Sequence, residues 1–73
     1  MRTWLQKLRH EKSLSQRELG EAVGLSSRMI QDIEAGKRGP GFQTLFALER
    51  TIGPGVLEGF KVEADQSGAL GAA

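Results

Sequence analysis

The chain has 73 residues, 26% of them charged, and a formal net charge of +1, so length bounds it to one domain with a modest core and bulk charge alone does not indicate a nucleic-acid partner. It contains no cysteine, which excludes disulfides and thiolate metal sites as supplements to packing. No apolar run approaches the ~20 residues of a membrane-spanning helix and no uninterrupted apolar signal region opens the chain, so the expected location is the cytoplasm.

Trp4, Leu5 and Leu8 share one side of a helical wheel, with Arg2, Lys7, Glu11 and Lys12 elsewhere, which predicts an amphipathic first helix from Arg2 to about Lys12. His10, the single histidine, lies near the end of this helix and reads as a solvated surface residue. Ser15 followed three positions later by Glu18 is a capping box that opens a second helix. Leu19, Ala22 and Val23 form its apolar face, and Gly24 is placed to end it in a left-handed conformation.

Ser26 can cap a third helix, Ser27 to Ala35, after a connection of about three residues, so the second and third helices must cross. Met29, Ile30 and Ile33 share one flank of that helix, while Ser27, Arg28, Gln31 and Asp32 share the opposite one. Gly36 ends it, and the sequence KRGPG makes a basic turn that proline and the flanking glycines keep from continuing as helix. Phe42 to Ile52 resumes the helical period with Phe42, Leu45, Phe46, Leu48 and Ile52 apolar. Gly53 and Pro54 break it, and VLEGF is a possible short fifth helix. The closing stretch ADQSGALGAA is small and unpatterned, so the expected division is a domain over 1–61 and a flexible tail over 62–73. The expected core is Trp4, Leu8, Leu19, Val23, Ile30, Ile33, Leu45, Phe46 and Leu48.

Leu14-Ser15-Gln16, Glu18-Leu19, Gly24-Leu25-Ser26, Ile30, Ile33-Glu34, Gly36-Lys37-Arg38, Pro40, and Thr44-Leu45-Phe46 through Leu48 to Ile52-Gly53 form an ordered set. The set resembles the helix-turn-helix of lambda-repressor-like transcriptional regulators, of the Cro or XRE type, over roughly residues 4 to 60. The resemblance implies an all-α, five-helix domain that binds double-stranded DNA, usually as a homodimer on a palindromic operator, with the third helix in the major groove. The expected function is sequence-specific transcriptional regulation, repression in the first place, in the cytoplasm at the nucleoid. Physical dimensions agree, because a major groove about 12 Å wide accepts one α-helix and a short crossing turn leaves the outer face of the third helix free to enter it.

By family position, Ser27, Arg28, Gln31 and Asp32 are the candidates for base contacts. Arg28 can donate two hydrogen bonds to guanine O6 and N7, and Asp32 either orients Arg28 or accepts from cytosine N4. The plain alternative is a solvated pair four residues apart. Ser27 suits any base or a phosphate, and Gln31 a base or a sugar-phosphate edge. Gln16 begins the second helix, where free amides and the positive dipole end favour an anion, and the family clamps a phosphate there. Arg17, Lys37, Arg38 and Thr44 are the further phosphate candidates, which set register without reading sequence. The resemblance pairs Glu34 with Arg9 as a buried or half-buried ion pair fixing the third helix on the first.

Two positions depart from the family pattern: Gly20 replaces an alanine, and Glu49 replaces a small apolar residue within the arc of Phe42, Leu45, Leu48 and Ile52. Glu49 either reaches the rim or pairs with a basic residue across a subunit contact. Val56, Leu57 and Phe60 of the fifth helix suit a homodimer interface or a docking site for a protein partner. The rival function is therefore a protein-interaction module, such as an antitoxin or coactivator-like adaptor, on the same fold. An enzyme is not expected: one histidine, no cysteine, no phosphate loop and no paired carboxylates leave the catalytic checklist almost empty, and neither cofactor nor metal is implied.

Overall fold

Capping chemistry sets the helix boundaries. The Ser15 hydroxyl accepts from the Glu18 amide at 3.0 Å and the Glu18 carboxylate accepts from the Ser15 amide at 2.9 Å, so both partners of the box are in place. These bonds, from the Ser15 backbone first and its side chain second, hold the Glu18 carboxyl below its usual range. Ser26 repeats the single cap, its hydroxyl accepting from the Met29 amide at 3.2 Å. Gly24 and Gly36 end their helices at φ 80° and 85°, left-handed values that a side chain would disfavour. A computed structural model describes residues 1–66 and contains five helices: α1 Thr3–Glu11, α2 Gln16–Val23, α3 Ser27–Ala35, α4 Phe42–Ile52 and α5 Val56–Gln66. There is no strand among the described residues, and the fold is all-α.

Leu5, Leu19, Ile30, Ile33, Leu48, Ile52 and Val56 form the buried core, one or two from each helix. Trp4, Leu8, Val23 and Leu45, expected inside, pack against that core while remaining partly exposed. Phe46 is a correction, because it is 53% exposed and stacks on the 79% exposed Phe42 at 6.5 Å between ring centroids. On a wheel of 100° per residue Leu45, Leu48 and Ile52 fall within about 60°, and both phenylalanines lie beyond that arc.

The fifth helix differs most from expectation. It runs to Gln66, through 62–66 of the expected tail; the remainder of that tail, 67–73, lies outside the described residues. Val56 is fully buried, and Phe60 packs edge-on to Trp4 at 5.0 Å beneath the Arg2 guanidinium, 4.8 Å from the ring centre. Only Leu57 of the three expected interface residues has substantial exposure, at 40%. Of the expected interface, Val56 is thus spent in the core and Phe60 is largely engaged by Trp4 and Arg2, because α5 folds back on α1 and α4 within one chain.

Glu49 is engaged within its own chain. Its Oε1 accepts from the Val56 and Leu57 amides, both at 3.1 Å, which satisfies two otherwise open donors at the start of α5 and places a negative charge at the positive dipole end.

Candidate nucleic-acid interface

The position of α3 follows from two close approaches. Gly20 is buried at the crossing of α2 and α3, and a Cβ there would meet the Leu25 carbonyl oxygen. The absent side chain lets the short turn pass directly over α2, which compensates for glycine's cost in a helix of roughly 0.5–1 kcal/mol. Ile30 and Ile33 then anchor the inner face of α3 in the core.

An ion pair completes the anchoring. Arg9 Nε lies 2.6 Å from Glu34 Oε2 and its Nη2 donates to Glu34 Oε1 at 3.2 Å, with Glu34 1% exposed. Arg9 Nη1 also donates to the Leu14 carbonyl at 2.9 Å, so the guanidinium joins α1, the loop before α2, and α3. Gln16 Nε2 adds a bond to Glu34 Oε1 at 3.0 Å. The buried carboxylate is thus satisfied from three side-chain donors, as a desolvated charge requires.

With its inner face held, α3 presents the opposite stripe to solvent. Ser27, Arg28 and Gln31 are exposed, and Asp32 is half-buried. The Arg28 side chain is 76% exposed and its Nε lies 3.3 Å from Asp32 Oδ1. This contact braces the guanidinium through Nε, and no further hydrogen bond engages its outer N–H groups among the described residues. Gln16, Arg28, Gln31, Asp32 and Lys37 line one polar groove, together with Gln6 of α1. Three of the four base-contact candidates and two of the phosphate candidates therefore share a single surface feature. Gln6 is an addition that the sequence did not single out.

The remaining phosphate candidates are placed separately. Arg17 is exposed on α2, 3.6 Å from Glu21, a pair that water screens heavily. Arg38 is exposed in the turn after α3, and Thr44 is half-buried in the first turn of α4. Sequence reasoning also missed Arg2, whose Nη1 donates to the Ile33 carbonyl at 2.5 Å and the Arg38 carbonyl at 2.7 Å, while Nε pairs with Glu63 at 2.9 Å. Trp4 Nε1 donates to the same Glu63 carboxylate at 2.7 Å. Among the described residues no three His, Cys, Asp or Glu side chains cluster to hold a metal ion, and no helix is long and apolar enough to cross a membrane.

A helix-turn-helix family model matches residues 5–53, well over half of the chain and all of α2, the turn, and α3. The chain is also 43% identical over 49 residues to Multiprotein-bridging factor 1 of Candida albicans. That match covers 67% of this chain and 32% of the relative, so the chain spans about a third of the length of the curated protein it matches. No solved structure gives a significant match.

Proposed function

The chain belongs to the helix-turn-helix family, as a DNA-binding domain of the lambda-repressor-like kind, and from that premise we propose that it regulates transcription by reading a specific duplex sequence with α3 in the major groove. The observation that carries this reading is the exposed stripe of Ser27, Arg28 and Gln31, with Arg28 braced by Asp32, on a helix whose other face is pinned by Ile30, Ile33 and Glu34. A rigid helix with a polar outer face loses little freedom when bases meet it. Arg28 reads guanine O6 and N7, a pairing that discriminates against a wrong base by roughly 1–3 kcal/mol. Gln16, Arg17, Lys37, Arg38 and Thr44 hold the sugar-phosphate backbone and set the register. Two copies occupy the two halves of a palindromic operator about 34 Å apart, and the domain acts by occupying its site, as a repressor.

The test is selection of bound duplexes from a random pool at about 0.15 M salt, near physiological ionic strength, with Arg28→Ala beside the wild type. The expected result is a palindromic consensus that loses a guanine preference in the variant. No consensus from either protein would refute sequence reading.

The name of the Candida albicans relative favours a second reading, in which the domain bridges other proteins. Salt separates the two. Each phosphate neutralised by a cation contributes about −0.9 to the slope of log K against log salt, so the three proposed cationic contacts, Arg17, Lys37 and Arg38, give about −3 for each copy on DNA. Apolar docking to a protein gives a shallow slope.

A further inference from the structure

Arg2 and Glu63 lie on either side of the stretch that matches the family model, residues 5–53. Together they close on the far end of α3. The Arg2 amide donates to the Glu34 carbonyl at 2.6 Å, and Arg2 Nη1 donates to the Ile33 and Arg38 carbonyls. Ile33 and Glu34 carry last-turn carbonyls that lack the usual helical partner, and a cation is favoured at that end of a helix. Glu63 holds Arg2 Nε at 2.9 Å, and the guanidinium lies 4.8 Å from the centre of the Phe60 ring, so α5 sets the direction of the side chain.

We propose that Arg2, held by Glu63, is a positioning residue for the phosphate contacts of Lys37 and Arg38. The inference rests on the DNA-binding function proposed above. Its first support is where the bonds fall. Lys37 lies between the two carbonyls that Nη1 joins, and its own amide donates to the Asp32 carbonyl at 2.9 Å. Past Lys37, the next hydrogen bond on the turn among the described residues is the one from Arg2 to the Arg38 carbonyl. The backbone is thus held on both sides of Lys37, while the Lys37 and Arg38 side chains are exposed. A charge on a long stem is placed only as well as the backbone that carries it.

The second support is that the charge of Arg2 is already used. Its side chain is 14% exposed, paired with a carboxylate through one nitrogen and bonded to two carbonyls through another. It serves the phosphate contacts by fixing the turn and does not itself meet the duplex. Lysine cannot take its place, because a single ammonium cannot occupy the positions of both nitrogens.

The experiment measures affinity for the duplex recovered by selection across a range of salt. Wild type, Arg2→Lys and Glu63→Gln are compared, and each substitution is repeated on a background of Lys37→Ala with Arg38→Ala. Circular dichroism melts set a temperature at which each protein is folded; Glu63 is 33% exposed, so Glu63→Gln carries the test if Arg2→Lys does not fold. Arg2→Lys keeps the net charge, yet its salt slope is expected to be shallower than that of wild type by about 1 to 2, with the selected consensus unchanged. Glu63→Gln removes a negative charge, so bulk electrostatics alone gives tighter binding to DNA; the expected result is weaker binding with a shallower slope. On the Lys37 and Arg38 background, neither substitution is expected to change affinity by more than about two-fold.

Tighter binding by Glu63→Gln, or an unchanged slope in the folded variants, overturns the proposal and leaves Arg2 as a contact of the fold alone. An effect that persists without Lys37 and Arg38 also overturns it, because Arg2 then acts on DNA by another route. No consensus from the wild type is the separate result that removes the DNA-reading function, and this inference with it.

Discussion

Replacing Arg9 with methionine strands a carboxylate. Glu34 is 1% exposed, and in the variant it keeps only the Gln16 carboxamide of its three side-chain donors. Removing one partner of a buried pair costs about 3–5 kcal/mol, whereas a chain of this size is expected to have about 4–11 kcal/mol in total. At about 4–8 °C for each kcal/mol, the single variant is expected to melt at least 12 °C below wild type at pH 7. Arg9→Met with Glu34→Leu removes both charges, so the stranded carboxylate disappears. What remains are the unmade bonds to the Leu14 carbonyl and from the Gln16 carboxamide, about 1–3 kcal/mol for each group that stays dry. Urea unfolding followed by Trp4 fluorescence compares wild type, both single variants and the double. The double is expected to be more stable than Arg9→Met by at least about 2 kcal/mol, within the range of coupling for contacting residues. Equal stability of double and single variants, or a loss below about 1 kcal/mol in the single, would refute the reasoning that burial governs this pair.

Gly59→Ala is expected to cost about 1–3 kcal/mol by overpacking, because a Cβ there collides with the Trp4 ring; a shifted Trp4 emission maximum, reporting the displaced indole, checks it. Glu49→Ala removes the acceptor for the Val56 and Leu57 amides and is expected to cost about 0.5–2 kcal/mol, as lost caps do. Faster hydrogen exchange at those two amides than across α2 is the accompanying signature. Because Glu18 has its folded-state pKa lowered by Ser15, its contribution is present above the unfolded-state pKa and disappears as pH falls through the folded-state value. Thermal melts of wild type and Glu18→Gln are therefore expected to differ at neutral pH and to converge in acid; a difference that persists in acid contradicts the assignment.

Local chemistry made much of the fold legible. Ser15 with Glu18, Ser26, Gly24 and Gly36 act on backbone groups within a few residues of themselves, so their positions mark the starts and ends of α2 and α3. The outer stripe of α3 was equally readable, since it needs only helical periodicity and knowledge that the other flank is apolar. What the chain order conceals is closure between distant segments. Arg2 and Glu63 lie 61 positions apart, and each taken alone is an ordinary surface charge. Glu49 looked misplaced because a wheel shows the face of α4 without showing that the amides of α5 arrive beside it. Phe46 looked buried because an apolar arc has no visible edge in sequence, whereas packing against α2 and α5 sets that edge at Leu45. Val56 and Phe60 looked free because the length and return path of α5 depend on the same distant closure.

Arg2 makes the last helix a tie-rod for the turn behind α3. Its guanidinium grips the Ile33 and Arg38 carbonyls with one nitrogen and Glu63 with another, so three stretches of chain share one planar node. Such a node transmits position, because a guanidinium that follows Glu63 has to release or drag the two carbonyls. The basic turn owes its set partly to a carboxylate near the far end of the described chain. The seating of α5 on α1 and the set of the backbone before Lys37 and at Arg38 are thus held through one side chain.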